Sequence, residues 1–109
     1  MTPLIEYYYK QDKETQKVLA DTYHKWVELL DCCISGSSSV GKPHHVRLAG
    51  WCGMGQKPVN LFEIPITNEF HVEIHTQGAK TFQLAHDVDF IDIITELNAQ
   101  FCYEEGIDA

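Results

Sequence analysis

Three glycines and a proline crowd the centre of the chain at Gly50, Gly53, Gly55 and Pro58, and Pro43 and Pro65 stand on either side of them. No helix runs through such a stretch: glycine loses the most backbone entropy on ordering, and proline lacks the donor and clashes with the preceding turn. The centre therefore reads as strand, loop and strand. Val40 to Leu48 is β-permissive, with a strand starting near His44 after Gly41 and Pro43. The glycine-rich loop is closed by Lys57-Pro58, and Leu61-Phe62-Glu63-Ile64 reads as a second strand broken at Pro65. The loop is not a Walker phosphate loop, which needs Lys-Ser/Thr directly after its last glycine, where this chain has Gln56.

Helical patterns flank this centre. Asp12 is an N-cap candidate, and Val18, Leu19, Tyr23, Trp26, Val27 and Leu30 follow at helical spacing. They predict a helix from Lys13 to Leu30 within a leading unit of residues 13–31. Residues 1–12, with Tyr7-Tyr8-Tyr9, show no clear period and read as a short strand or an arm packed on the domain. Ser35 to Ser39 reads as a flexible turn. Thr67 or Asn68 caps a helix through Glu69, His71, Val72 and His75 that stops at Gly78. A last helix spans Asp89 to Tyr103, with Phe90, Ile93, Ile94, Leu97 and Phe101 on its apolar side and acids opposite. The order is helix, strand, glycine loop, strand, helix, helix. A chain of 109 residues with this order suits one α+β domain without repeats.

Composition narrows the function. The formal charge of -8 argues against a protein that coats nucleic acid electrostatically. That acidity is uneven, however. Residues 1–39 carry six acids and four bases, and residues 40–82 three acids and four bases. Residues 83–109 carry seven acids and no Lys or Arg. The exclusion therefore reduces to an expectation of weak, salt-sensitive contact. No apolar run approaches the roughly 18 residues of a membrane span, and the N-terminus lacks a secretory signal pattern. Cys32, Cys33, Cys52 and Cys102 do not form a disulfide framework, so a reducing, cytoplasmic setting is expected.

Four of the six histidines fall in the nearly neutral centre. His71 and His75 lie one helical turn apart on one face, which is ligand spacing for a single metal ion. His44 and His45 are neighbours on a strand, where adjacent side chains point to opposite faces. One of them can complete a metal site while the other faces a substrate and takes a proton near neutral pH. Three imidazoles on a divalent ion with a fourth free for proton transfer form a hydrolytic arrangement. His24 and His86 have no partner visible in the sequence and read as surface or hydrogen-bonded residues.

With these motifs in order, the chain resembles the HNH endonucleases of the ββα-metal fold, and most closely the small phage and prophage domains of that family. The resemblance rests on Trp26-Val27-Glu28-Leu29-Leu30-Asp31-Cys32-Cys33-Ile34-Ser35-Gly36, His44-His45-Val46-Arg47 and Gly53-Met54-Gly55-Gln56-Lys57. It continues through Asn60-Leu61-Phe62-Glu63-Ile64-Pro65-Ile66-Thr67 and Phe70-His71-Val72-Glu73-Ile74-His75, covering about residues 23–82. It implies a core over residues 40–78, a two-stranded hairpin and a histidine-bearing helix, flanked by an N-terminal helix and an acidic C-terminal helix over residues 89–103.

By position, the resemblance implies His45 as general base and His44, His71 and His75 as ligands of one divalent ion. That ion would be Zn2+ or Ni2+ by ligand preference, with Mg2+ or Mn2+ for turnover. Asn60 would aim the base by pinning the loop through backbone hydrogen bonds. Arg47 and Lys57 would hold phosphates. The implied substrate is DNA, and the implied setting is a phage or prophage protein in the host cytoplasm, with a homodimer and phage or host recombination or repair proteins as candidate partners. One departure stands out. The family's structural zinc sits in two Cys-x-x-Cys/His half-knuckles, and only Cys32 of those four positions survives; Ser35, Thr67 and Phe70 occupy the others. A structural zinc is therefore not expected. Two other readings compete: an inactive HNH-like module that binds DNA or protein, and an acidic interaction protein whose last helix, with Asp89, Asp92 and Glu96, mimics phosphate.

Overall fold

In the computed structural model, which describes residues 2–38, 43–47 and 59–109, five α-helices pack around a two-stranded antiparallel sheet. The glycine-rich loop and Lys57 lie outside the described residues. Helix α1 (Pro3–Tyr9) occupies the segment read as an arm or strand. Its signal was local and not periodic: the Thr2 hydroxyl accepts the Ile5 N–H, and Pro3 takes a position in the first turn where no donor is needed. Helix α2 (Lys13–Glu28) starts at the expected cap, where the Asp12 carboxylate accepts the Thr15 N–H at 2.8 Å. It buries Leu19, Tyr23 and Val27.

Strands β1 (Pro43–His45) and β2 (Glu63–Pro65) pair as Pro43 with Pro65, His44 with Ile64, and His45 with Glu63. The second strand thus begins two residues later than the sequence suggests, because Asn60–Phe62 forms a 3-10 turn. Pro65 ends the strand without breaking it. A sheet of two strands has only edges, and a residue without an N–H is tolerated there. The Pro65 carbonyl is still used, accepting the Cys33 N–H at 2.8 Å.

Helix α3 (Asn68–Gln77) is capped by the Thr67 hydroxyl and stopped at Gly78, as expected. Gly78 has φ +88°, a left-handed value that glycine adopts without strain, and it starts helix α4 (Ala79–His86) immediately. Helix α4 was not foreseen; it buries only Phe82, too little to leave a period. Helix α5 (Phe90–Glu105) is capped by Asp89 and ends at Gly106, at φ +68°. Among the described residues no helix is long and apolar enough to cross a membrane.

One core joins these elements. Both α2 and α5 pack on β2, and α1 lies against both helices. Tyr23 and Phe101 meet edge to face at 4.9 Å, with Trp26 5.3 Å from the Phe101 ring. Asn98 is the polar hub within this core. It is buried, receives the Thr2 hydroxyl, and donates to the Tyr23 oxygen at 2.8 Å and the Leu61 carbonyl at 3.1 Å. It ties α1, α2 and the approach to β2 to α5. Replacing Asn98 by Leu strands these partners in an apolar setting, at an expected cost of about 2–3 kcal/mol. Equilibrium urea unfolding should show a lower midpoint with an unchanged slope.

Candidate metal centre

The short sheet sends its two neighbouring histidines to different places. On one face, the His44 ring lies edge-on to His71 at 4.9 Å and to His75 at 5.3 Å. His71 and His75 are stacked one turn apart on α3, with their Nε2 atoms 2.8 Å apart. One nitrogen from each of the three rings lies within 4.8 Å of the others. A tetrahedral ion at an ordinary Zn–N distance separates its nitrogens by about 3.4 Å. The observed spacing brackets that value, so small ring rotations suffice, and the donor set fits one borderline divalent ion. Burial, then the neighbouring imidazoles, pull the His44 pKa down to about 4. His44 is accordingly neutral and able to ligate through the physiological range.

His45 takes the other direction and is exposed. Its Nε2 lies 3.0 Å from the Asn60 Oδ1, while the Asn60 Nδ2 donates to the Ala20 carbonyl at 3.1 Å. The Ala20 carbonyl can only accept, which fixes the amide orientation and leaves Oδ1 facing His45. Neutral His45 therefore carries its proton on Nε2, which leaves the lone pair on Nδ1. Asn60 thus contacts the His45 ring directly as well as a backbone carbonyl of α2; the loop it is expected to pin lies outside the described residues. Arg47 follows β1 and is exposed, and Lys57 lies outside the described residues.

The positions that the resemblance aligns with a zinc knuckle have other duties here. Thr67 caps α3, and Phe70 packs edge-on against Phe82 and His86, with centroids at 6.0 and 5.2 Å. Cys32 is buried in a tight turn where the Ile34, Ser35 and Thr67 N–H groups face its sulfur; burial raises its pKa, but these hydrogen bonds outweigh it and the net shift is downward. Among the described residues no cysteine joins a cluster of three metal-binding side chains.

Sequence reasoning missed two histidine partnerships. His86 pairs with Glu73 across α4 and α3. His24 is held at both ring nitrogens: Nδ1 lies 2.9 and 2.8 Å from the two Glu63 oxygens, and Nε2 lies 2.6 Å from Glu28. The spacing of His24 and Glu28, one helical turn, was visible in the sequence. The Glu63 contact was not, since that glutamate sits in an apolar run. Burial pushes the Glu63 carboxyl up against the opposing pull of His24. Burial also works against the His24 charge, but the Glu63 and Glu28 carboxylates outweigh it and raise the His24 pKa.

Residues 5–99, which include every one of these histidines, match a family model described as a protein of unknown function, DUF968. The chain belongs to this family. A relative, the uncharacterized protein YdfU of Escherichia coli (strain K12), is 36% identical over 56 residues. That match covers 51% of this chain and 16% of the length of YdfU. No solved structure matches.

The lowered His44 pKa has a measurable consequence. The unfolded chain keeps an ordinary histidine near 6.5, whereas the folded chain resists protonation until about 4. Between these values the unfolded state binds the extra proton, so the His44 contribution to metal-free stability is full above about pH 6.5 and falls as the pH drops toward 4. Denaturation across this range should show the loss, and His44→Asn should flatten it.

Proposed function

We propose that this chain is a metal-dependent endonuclease that hydrolyses DNA phosphodiester bonds on the ββα-metal core of the HNH enzymes. The observation that carries this reading is the division of the His44-His45 pair: one ring joins His71 and His75, and its neighbour stands outside that cluster, exposed and held at Nε2 by Asn60. A cluster of three imidazoles is a common metal site. A fourth histidine on the adjoining residue, held by an amide and exposed to solvent, is what general-base catalysis adds.

In this reading His45 Nδ1 takes the proton of the attacking water, and Asn60 keeps the ring in the tautomer that can accept it. His44, His71 and His75 would hold one divalent ion, which would supply Lewis-acid stabilisation of negative charge on the phosphate and the leaving group. Arg47 and Lys57 hold flanking phosphates without reading bases. Zn2+ or Ni2+ suits the imidazole set for binding, and Mg2+ or Mn2+ supports turnover. The absent knuckle ligands favour a second reading, a non-catalytic module that retains the metal centre and binds nucleic acid or protein.

Incubation of supercoiled plasmid with the protein and each of Mg2+, Mn2+, Ni2+ and Zn2+ separates the two. Nicking is expected with at least one ion. His45→Ala should lower the rate by about 10²–10⁴ and leave calorimetric ion binding unchanged, whereas His71→Ala should lose both. Absence of cleavage with every ion, on supercoiled, linear and single-stranded DNA, selects the non-catalytic module.

A further inference from the structure

Glu63 has no exposed surface, yet it carries a carboxylate into the core of a small domain. An ionised carboxylate in such a place is costly, and an apolar residue of similar volume commonly serves stability as well or better. Core packing alone therefore does not call for a glutamate here. Its surroundings offer another account. Both Glu63 oxygens engage His24, and Glu63 is the residue directly opposite His45 in the sheet. Side chains opposite one another on antiparallel strands share a face, with Cβ atoms about 5 Å apart. Glu63 thus lies on the face of His45 and not on that of His44, which points to the ion-binding cluster.

We propose that Glu63 and His24 form a positioning pair that holds His45 in place against α2. Ala20 and His24 are one turn apart on that helix. From Ala20 the carbonyl holds Asn60, and Asn60 holds the His45 ring; from His24 the imidazole holds Glu63, which is paired across the sheet with His45. These links close a ring that passes through two successive turns of α2 and both strands. Glu28 completes it by holding the far nitrogen of His24, so the imidazole cannot turn away from Glu63. The need for such a device follows from the size of the sheet. Three residue pairs do not hold their own geometry in water, so the direction of His45 must be set by the helix behind it. The inference rests on the reading of His45 as the base, and it concerns only how that base is held.

The ring predicts a split in behaviour. Glu63→Leu should leave ion affinity at His44, His71 and His75 within about twofold of wild type, and should leave KM for plasmid similarly unchanged. The same variant should lower kcat by about 10- to 100-fold, the scale of a small misplacement of a reacting group. Glu63→Gln retains an acceptor for His24 and should recover part of the loss. Nitrogen-15 spectra of the histidine rings supply a readout that needs no cleavage. Wild-type His45 should show a single tautomer protonated at Nε2. Glu63→Leu should turn this into an averaged mixture while the His71 and His75 signals hold. His24→Gln breaks the same link from the helix side and is read identically where Glu63→Leu does not fold. The proposal is overturned if His45 keeps its single tautomer in both variants, or if ion affinity falls in step with kcat, which marks Glu63 as merely structural. A wild-type protein that cuts no DNA but shows the tautomer change removes the nuclease reading and leaves the positioning pair standing.

Discussion

The grip of α2 on the short sheet is the interaction on which the remaining geometry depends. A sheet of three residue pairs has too little backbone hydrogen bonding and too little apolar area to persist alone. Here it persists because Leu61, Phe62, Ile64 and Ile66 enter the core beside Tyr23 and Val27 of α2 and Phe90, Ile94 and Phe101 of α5. Two polar links then fix its angle on α2, through Asn60 to Ala20 and through Glu63 to His24. Apolar burial supplies most of the free energy but is indifferent to small rotations. The hydrogen bonds supply the direction, because an Asn or Glu that loses its partner in the interior is left unsatisfied.

That division of labour explains how two adjacent residues come to stand in different surroundings. Alternation along β1 is a property of any strand and sends His44 and His45 to opposite faces without special sequence. What differs is the support behind each. His44 meets a second element, α3, whose own period brings His71 and His75 round to the same side. Among the described residues His45 is exposed and held by Asn60, which is itself bonded to Ala20 of α2. Helix α3 in turn is held by Ile74 in the core and by the contact of Phe70 with Phe82, in the region where the resembling domains use a zinc knuckle.

Legibility in the sequence followed the range of the signal. Caps and periods act over a few residues, so Asp12, Thr67, Gly78 and the stripes of α2 and α5 were readable, as was the spacing of His71 and His75. Helices α1 and α4 are seven and eight residues long, and their buried sides are too short to rise above chance. The start of β2 was misread because Leu61 and Phe62 look like strand residues but turn inward from a 3-10 turn. Long-range polar partnerships were the least visible. Nothing near Glu63 or His24 in the chain announces a contact across thirty-nine positions, and a glutamate in an apolar run has no local meaning until the fold supplies its partner.

The acidic tail acquires a physical sense once its placement is known. Helix α5 buries Phe90, Ile94, Asn98 and Phe101, and Asp87, Asp89, Asp92, Glu96, Glu104, Glu105 and Asp108 are all exposed. Seven carboxylates around one helix, without a lysine or arginine among residues 83–109, repel a polyanion within roughly the 8–10 Å of a Debye length. His44, His45, His71 and His75 lie on β1 and α3, in the part of the chain whose charge is nearly balanced. On the proposed reading, a DNA duplex would be turned away from α5, with β1 and α3 left as the surface it could approach. The same charge that would weaken overall affinity for a polyanion would thus narrow the directions from which a phosphate could arrive.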